Sequence, residues 1–259
     1  MKTVLREGVT LAYQEEGKGD YHFVFIHNAG GSHQFVKPQF QYFSQFGRVL
    51  SMDLRGHGSS DKPAQSYTTR GYADDITYLC QRQGISKAVF VGLNYGANVA
   101  IELTTTSSLV SHLVLIDPPI FLKTETIQTK AIENHIHDLG SPTCEGFAKR
   151  LVEEVFLHTT EENKQMAIHA FETTSKAALV STYENLLEWD KTSSHKLGQC
   201  TMPILSIQSS TPFCTEESLQ KVCPHLKVSK VLGSGPWATL EVPNQINSMI
   251  ERFLEINHD

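Results

Sequence analysis

Ala88-Val89-Phe90-Val91-Gly92-Leu93-Asn94-Tyr95-Gly96 is the stretch on which the fold of this chain turns. Its first four residues form a continuous apolar run, the pattern of a strand buried on both faces of a parallel sheet. Gly92 and Gly96 then bracket Leu93-Asn94-Tyr95, and helical spacing begins at once, from Gly96 to Thr104. A buried strand that turns directly into a helix is one half of a β-α unit.

Working outward, the same alternation recurs. Lys2 to Arg6 and Val9 to Glu15 read as short strands. Phe23-Val24-Phe25-Ile26 reads as a buried strand, followed by a helix near Phe35 to Gln45. Val49-Leu50-Ser51-Met52-Asp53 predicts the next strand. Tyr72 to Arg82 predicts a helix with Tyr72, Ile76 and Leu79 on one face. Leu113-Val114-Leu115-Ile116 is a further strand, closed by Asp117-Pro118-Pro119. From Ile120 to His195 only helical periodicity remains, as in Phe147, Leu151 and Val155. Strands resume at Pro203 to Ile207 and at Lys227 to Val231, and a helix from Pro243 to Ile256 ends the pattern. The expectation is an α/β fold with a mostly parallel sheet covered by helices on both faces. Its core is residues 1–119 and 199–259, with an inserted helical lid over 120–198.

A chain of 259 residues is long enough for a large core without staples. Hydrophobic residues make up 40% and charged residues 19%, ordinary for a soluble globular protein. A formal charge of -6 and the lack of a Lys/Arg run argue against nucleic-acid binding. Cys80, Cys144, Cys200, Cys214 and Cys223 are odd in number and scattered, so reduced thiols and a cytoplasmic location are expected, without a metal site. The charged start, Met1 to Gly8, does not read as a signal peptide, and no apolar run is long enough for a membrane span.

Several motifs resemble those of the α/β-hydrolase superfamily. His27-Asn28-Ala29-Gly30-Gly31-Ser32 resembles its His-Gly-x-Gly oxyanion loop, with Asn28 in place of the first glycine. Asp53-Leu54-Arg55-Gly56-His57-Gly58-Ser59-Ser60 is close to its Asp-x-Arg-Gly-x-Gly-x-Ser motif. Gly92-Leu93-Asn94-Tyr95-Gly96 stands in the strand-turn-helix context of its nucleophile elbow. Gly233-Ser234-Gly235-Pro236-Trp237, running on to Glu241 and Pro243, resembles its Gly-x-Gly-His-x-x-x-x-Glu-x-Pro segment.

The resemblance implies a nucleophile, a base and an orienting carboxylate at defined positions. Those positions hold Asn94, Pro236 and Thr211. A carboxamide has no ionisable proton near neutral pH, and proline offers no side-chain acceptor. Losing a triad costs about a million-fold in rate, leaving ~10³–10⁴ over water. A degenerate triad without efficient ester hydrolysis is therefore expected. The family's oxyanion donors are backbone N–H groups, here by resemblance those of Ala29 and Tyr95, so anion or carbonyl binding would survive the losses.

These residues set the expected site. A small apolar or carbonyl-containing molecule would meet Asn28, Ala29, Asn94, Tyr95 and Trp237, with no cofactor, no metal, and no nucleic-acid or membrane partner. The alternative is an atypical enzyme, a lyase, cyclase, isomerase or rewired hydrolase, with a base from the lid. His33 in the core and His158 and His169 in the lid could approach the pocket, and Asp117 could supply a displaced acid. His27, His57 and Asp53 read as loop organisers. His135 and His137 lie two apart on a helix and face different ways. Cys214 has no assignable histidine partner and reads as a packed or surface thiol.

Overall fold

The computed structural model describes residues 1–121, 127–141 and 146–257, so Cys144 lies outside the described residues. Eight strands form one sheet: β1 Lys2–Arg6, β2 Val9–Glu16, β3 His22–Ile26, β4 Arg48–Met52, β5 Ala88–Leu93, β6 Val110–Ile116, β7 Ile204–Gln208 and β8 Lys227–Lys230. Their order is β1-β2-β4-β3-β5-β6-β7-β8. β1 and β2 run antiparallel to their neighbours, and every pairing from β4 onward is parallel. β5 is buried along its whole length, as a central strand covered on both faces must be.

Helices cover the sheet. α1 Lys37–Phe43 packs against α11 Pro243–Glu255, while α2 Thr69–Arg82 packs against α3 Tyr95–Thr104. Between β6 and β7 the described chain is helical: α4 Ile127–Gly140, α5 Phe147–Val155, α6 Glu161–Thr173, α7 Lys176–Asp190 and α8 Ser193–Gly198. α6 and α7 start at side-chain caps, Thr160 accepting from the Asn163 N–H and Ser175 from that of Ala178. α7 reaches back to touch α2.

Several boundaries differ from the sequence expectation. The single helix expected near Phe35 to Gln45 is a 3-10 turn, His33–Val36, followed by α1. Pro38 enters α1 in its first turn, the place where a missing N–H costs nothing. α2 begins three residues before Tyr72, because Thr68 accepts from the Gly71 N–H at 3.0 Å and starts the helix there. α9 Glu216–Val222 and α10 Ala238–Glu241 were not anticipated, being too short to show a period.

Among the described residues no helix is long and apolar enough to cross a membrane. The four described cysteines are unpaired and buried, Cys214 among them.

Candidate functional site

The parallel strands deliver their carboxyl ends to one edge of the sheet, where β5 and β6 stop side by side at Asn94 and Asp117. Close packing forces the sharp turn at Asn94. A Cβ on Gly92 would collide with the backbone of Gly96 and Ala97, and one on Gly96 with the carbonyls of Ile26 and His27. The turn holds Asn94 at φ 49 and ψ -119. The ψ lies far from the left-handed helical well, in turn geometry that normally belongs to glycine. The elbow therefore keeps its strain although an asparagine occupies it. The Asn94 N–H donates to the Ile116 carbonyl at 2.7 Å, and its Nδ2 donates to the Asp117 carbonyl at 3.4 Å.

The loop after β3 lies against this turn. His27 is buried and its tautomer is fixed. Nε2 faces the Leu54 N–H at 3.0 Å and must accept, so Nδ1 carries the proton and donates to the Asn28 carbonyl at 2.7 Å. Burial pushes its pKa down to about 4, so the ring is neutral. Asn28 is buried too. Its Nδ2 donates to the Ala29 carbonyl, and its Oδ1 has no partner among the described residues. Among the described residues the N–H groups of Ala29 and Tyr95 make no backbone hydrogen bond, which leaves both as donors.

Asp53 organises the neighbouring loop. Burial opposes its charge, but the His33 hydrogen bond, the nearby His27 and His33 and the Ser59 N–H together hold its pKa below the usual carboxylate range. His33 is thus tied to Asp53 through both its backbone N–H and its ring Nδ1. His158 and His169 are exposed at the surface. His135 packs edge-on against Phe147 inside the helical insert, and His137 is exposed on its outer side. His57 is buried, and burial pushes its pKa down to about 3.

The loops around Thr211 and Pro236, two positions expected from the resemblance, are held by hydrogen bonds. Thr211 is exposed, its N–H donating to Ser209 Oγ at 3.2 Å. Ser209 Oγ in turn donates to Asp117 Oδ2 at 2.9 Å. Asp117 is buried, with φ 46, and burial pushes its pKa up to about 7 against the two Ser209 hydrogen bonds. The loop around Pro236 is tied down by Glu241. One carboxylate oxygen accepts from Gly235 N and Ser234 Oγ, the other from Leu157 N and His158 N.

Trp237 is buried at the centre of an aromatic group. Phe35 meets it edge-on at 5.2 Å and Phe156 at 4.9 Å, while Phe171 lies nearly parallel to it at 5.7 Å. Phe171 also covers the oxyanion loop, for a Cβ on Gly30 would collide with its ring. The structure therefore brings Trp237 to the Gly30 loop through Phe171. Tyr95 faces elsewhere: its hydroxyl bonds Thr69 Oγ1 at 2.8 Å and its ring meets Tyr72 edge-on. Phe156 and Phe171, on the helical insert, and Phe35, in the turn after β3, escaped the sequence reading because an aromatic in a helical pattern carries no mark of what it touches. A cavity of about 1050 Å³ lies between α9, β8 and α11, away from Asn94. Among the described residues no cluster of three or more His, Cys, Asp or Glu is placed to hold a metal ion.

Comparison with known proteins agrees with this frame. The 3-oxoadipate enol-lactonase 2 of Acinetobacter baylyi is 23% identical over 258 residues, covering 98% of this chain and 96% of its own. The 2-(acetamidomethylene)succinate hydrolase of Mesorhizobium japonicum is 31% identical over 120 residues, covering 46% of this chain and 43% of its own. The crystal structure of the enol-lactonase from Burkholderia xenovorans LB400 aligns with a TM-score of 0.83 at 18% identity, over 98% of this chain and 100% of that one, a likeness of fold. The sheet order, the strained turn after β5 and a family model that matches residues 21–160 agree: the chain belongs to the alpha/beta hydrolase fold family.

Proposed function

We propose that this chain holds a small, mostly apolar or carbonyl-bearing molecule in the former active-site space and does not hydrolyse it efficiently. The observation that carries this reading is Asn94. It stands in the strained turn that presents a nucleophile elsewhere in the family, and its side chain is hydrogen-bonded to the Asp117 carbonyl. Pro236 and Thr211 extend the same loss to the base and the acid, each with its surrounding loop intact. The Ala29 and Tyr95 N–H groups and the positive end of α3 remain to receive an oxygen. The helices between β6 and β7 act as the lid over that space, a role supported by α6 lying on the Gly30 loop.

Relatives named as lactonases and hydrolases make hydrolysis the reading to test against. Purified protein is incubated with p-nitrophenyl butyrate. Release at the buffer rate supports the proposal, and saturable turnover removed by a lid or elbow substitution contradicts it.

One observation favours a second reading, an atypical enzyme. Asp117 is a buried carboxyl beside Asn94 whose proton is held at pH values where a free aspartate has lost it. A group of that kind can serve as an acid or a base. The lid histidines do not support this version, since His158 and His169 face solvent. An activity that vanishes in Asp117→Asn while the variant remains folded would establish it.

A further inference from the structure

Resting on the ligand-binding reading above, we infer that the ligand carries a planar ring bearing a carbonyl or carboxylate oxygen, and that the ring of Phe171 occupies its place in this closed structure. Trp237 has neighbours of two kinds. Phe35 and Phe156 meet the indole edge-on, at 89° and 80°, and brace it. Phe171 lies at 29°, the near-parallel arrangement in which one flat ring covers another.

Phe171 also touches the oxyanion loop. Gly30 has φ 71, and any side chain there would overlap the Phe171 ring. The ring therefore lies against the Gly30 backbone, one residue along from Ala29, whose N–H is the donor that an oxygen entering this site would reach. When Phe171 leaves, one face of a braced indole and a backbone donor are uncovered together. A flat ring restores the stacking, and an oxygen on that ring takes the hydrogen bond. A saturated ring of equal size fills the volume but stacks poorly.

Phe171 is carried by α6, which is placed over the loop by few polar contacts. α6 fully buries Ala167, Ala170 and Phe171, with Met166 and Ile168 partly buried against the core, so Phe171 is the one large side chain it buries completely. Near its end the Thr174 hydroxyl reaches the Gly30 carbonyl at 3.5 Å, and the Ser175 N–H donates to the Gly56 carbonyl at 3.0 Å. These contacts register α6 over the loop. Phe171 is thus a specificity-determining residue: a ligand must displace it and must match it in shape.

Calorimetric titration with acetophenone and with cyclohexyl methyl ketone tests this, since the two share the carbonyl and differ in planarity. The intact protein is expected to bind acetophenone about tenfold more tightly. Phe171→Ala is expected to tighten acetophenone binding by a further tenfold or so, because the competing ring is gone. Trp237→Leu is expected to abolish the preference. Phe171→Leu, which keeps apolar volume, takes the place of the alanine variant if truncation unfolds the chain. Equal binding of the two ketones, or an affinity unmoved by either Phe171 variant, overturns the inference and leaves the binding reading intact. No binding of either ketone to the intact protein or to the Phe171 variants overturns both.

Discussion

The side-chain amide of Asn94 donates to the main-chain carbonyl of Asp117, 3.4 Å away, and both residues hold a positive φ, 49 and 46. Two neighbouring parallel strands thus end in strained residues joined to each other. Strain of this kind persists only where its surroundings impose it. Here the packing of Gly92 and Gly96 against their neighbours does so.

Replacing Asn94 by glycine should therefore stabilise the protein. Glycine adopts φ 49 with ψ -119 without a Cβ clash. Relief of about 1–3 kcal/mol, less the unfolded-state entropy of glycine, leaves a gain of about 1 kcal/mol. The melting temperature should rise by roughly 2–4 °C. Asn94→Val, β-branched at the same φ, should lower it. An unchanged or lower melting temperature for Asn94→Gly would show that the turn is not strained.

Asp117 sets a stability that depends on pH with a definite sign. Its carboxyl is raised from 3.8 to about 7 by burial, so between those values the folded chain keeps a proton that the unfolded chain has lost. Its contribution is complete below about pH 4 and is lost as pH rises to about 7. His27 and His57, lowered to about 4 and about 3, act oppositely, losing stability as pH falls from 6.5. Asp117→Asn should remove the first effect and expose the second. The variant should gain on the parent steadily from about pH 4 to about pH 7 and run parallel above it, as read from urea midpoints. A constant difference across that range would contradict the assignment.

Gly30 and Phe171 should couple in a double-mutant cycle. Gly30→Ala meets two penalties, a φ of 71 and the Phe171 ring. Together these should cost more than about 2 kcal/mol. Phe171→Ala removes only the second, so the double variant should be more stable than additivity predicts by about 1 kcal/mol or more. Additive losses in chemical denaturation would show that the ring does not press on the loop.

A buried carboxylate anchors the helical insert to the core. Glu102 on α3 accepts from Trp189 Nε1 at 2.8 Å and from Lys196 Nζ at 2.6 Å, one donor on α7 and one on α8. Lys196→Ala leaves that charge with one donor and should cost about 1–3 kcal/mol, the upper end tempered because the lysine is 21% exposed. In a Glu102→Gln background the same substitution should cost less. Equal costs in the two backgrounds, measured by urea unfolding, would remove the anchor role.

Much of the frame is legible in the sequence because its signals are local. Apolar runs mark β3, β5 and β6, which are buried on both faces, and the loss of alternation after Ile116 marks the helical stretch. The residues that the resemblance assigns to the nucleophile, base and acid positions are assigned from motif order alone. What the sequence does not disclose is non-local. Phe171 and Trp237 are far apart in the chain and meet only through the docking of α6. Tyr95 adjoins Asn94, yet its ring turns toward Thr69 because helix geometry sends successive side chains to different faces. Asp117-Pro118-Pro119 reads as ordinary turn chemistry. Its buried carboxyl emerges only when β7 brings Ser209 alongside.

The most direct measurement of the central claim is the intact mass of the protein after exposure to a fluorophosphonate. Asn94→Ser, Thr211→Asp and Pro236→His, combined in one chain, provide the comparison. The account predicts that the natural chain keeps its mass, because the elbow presents a carboxamide that does not attack phosphorus, while the triple variant gains one phosphonyl adduct at residue 94. A stoichiometric adduct on the natural chain, mapped to the site, would contradict it.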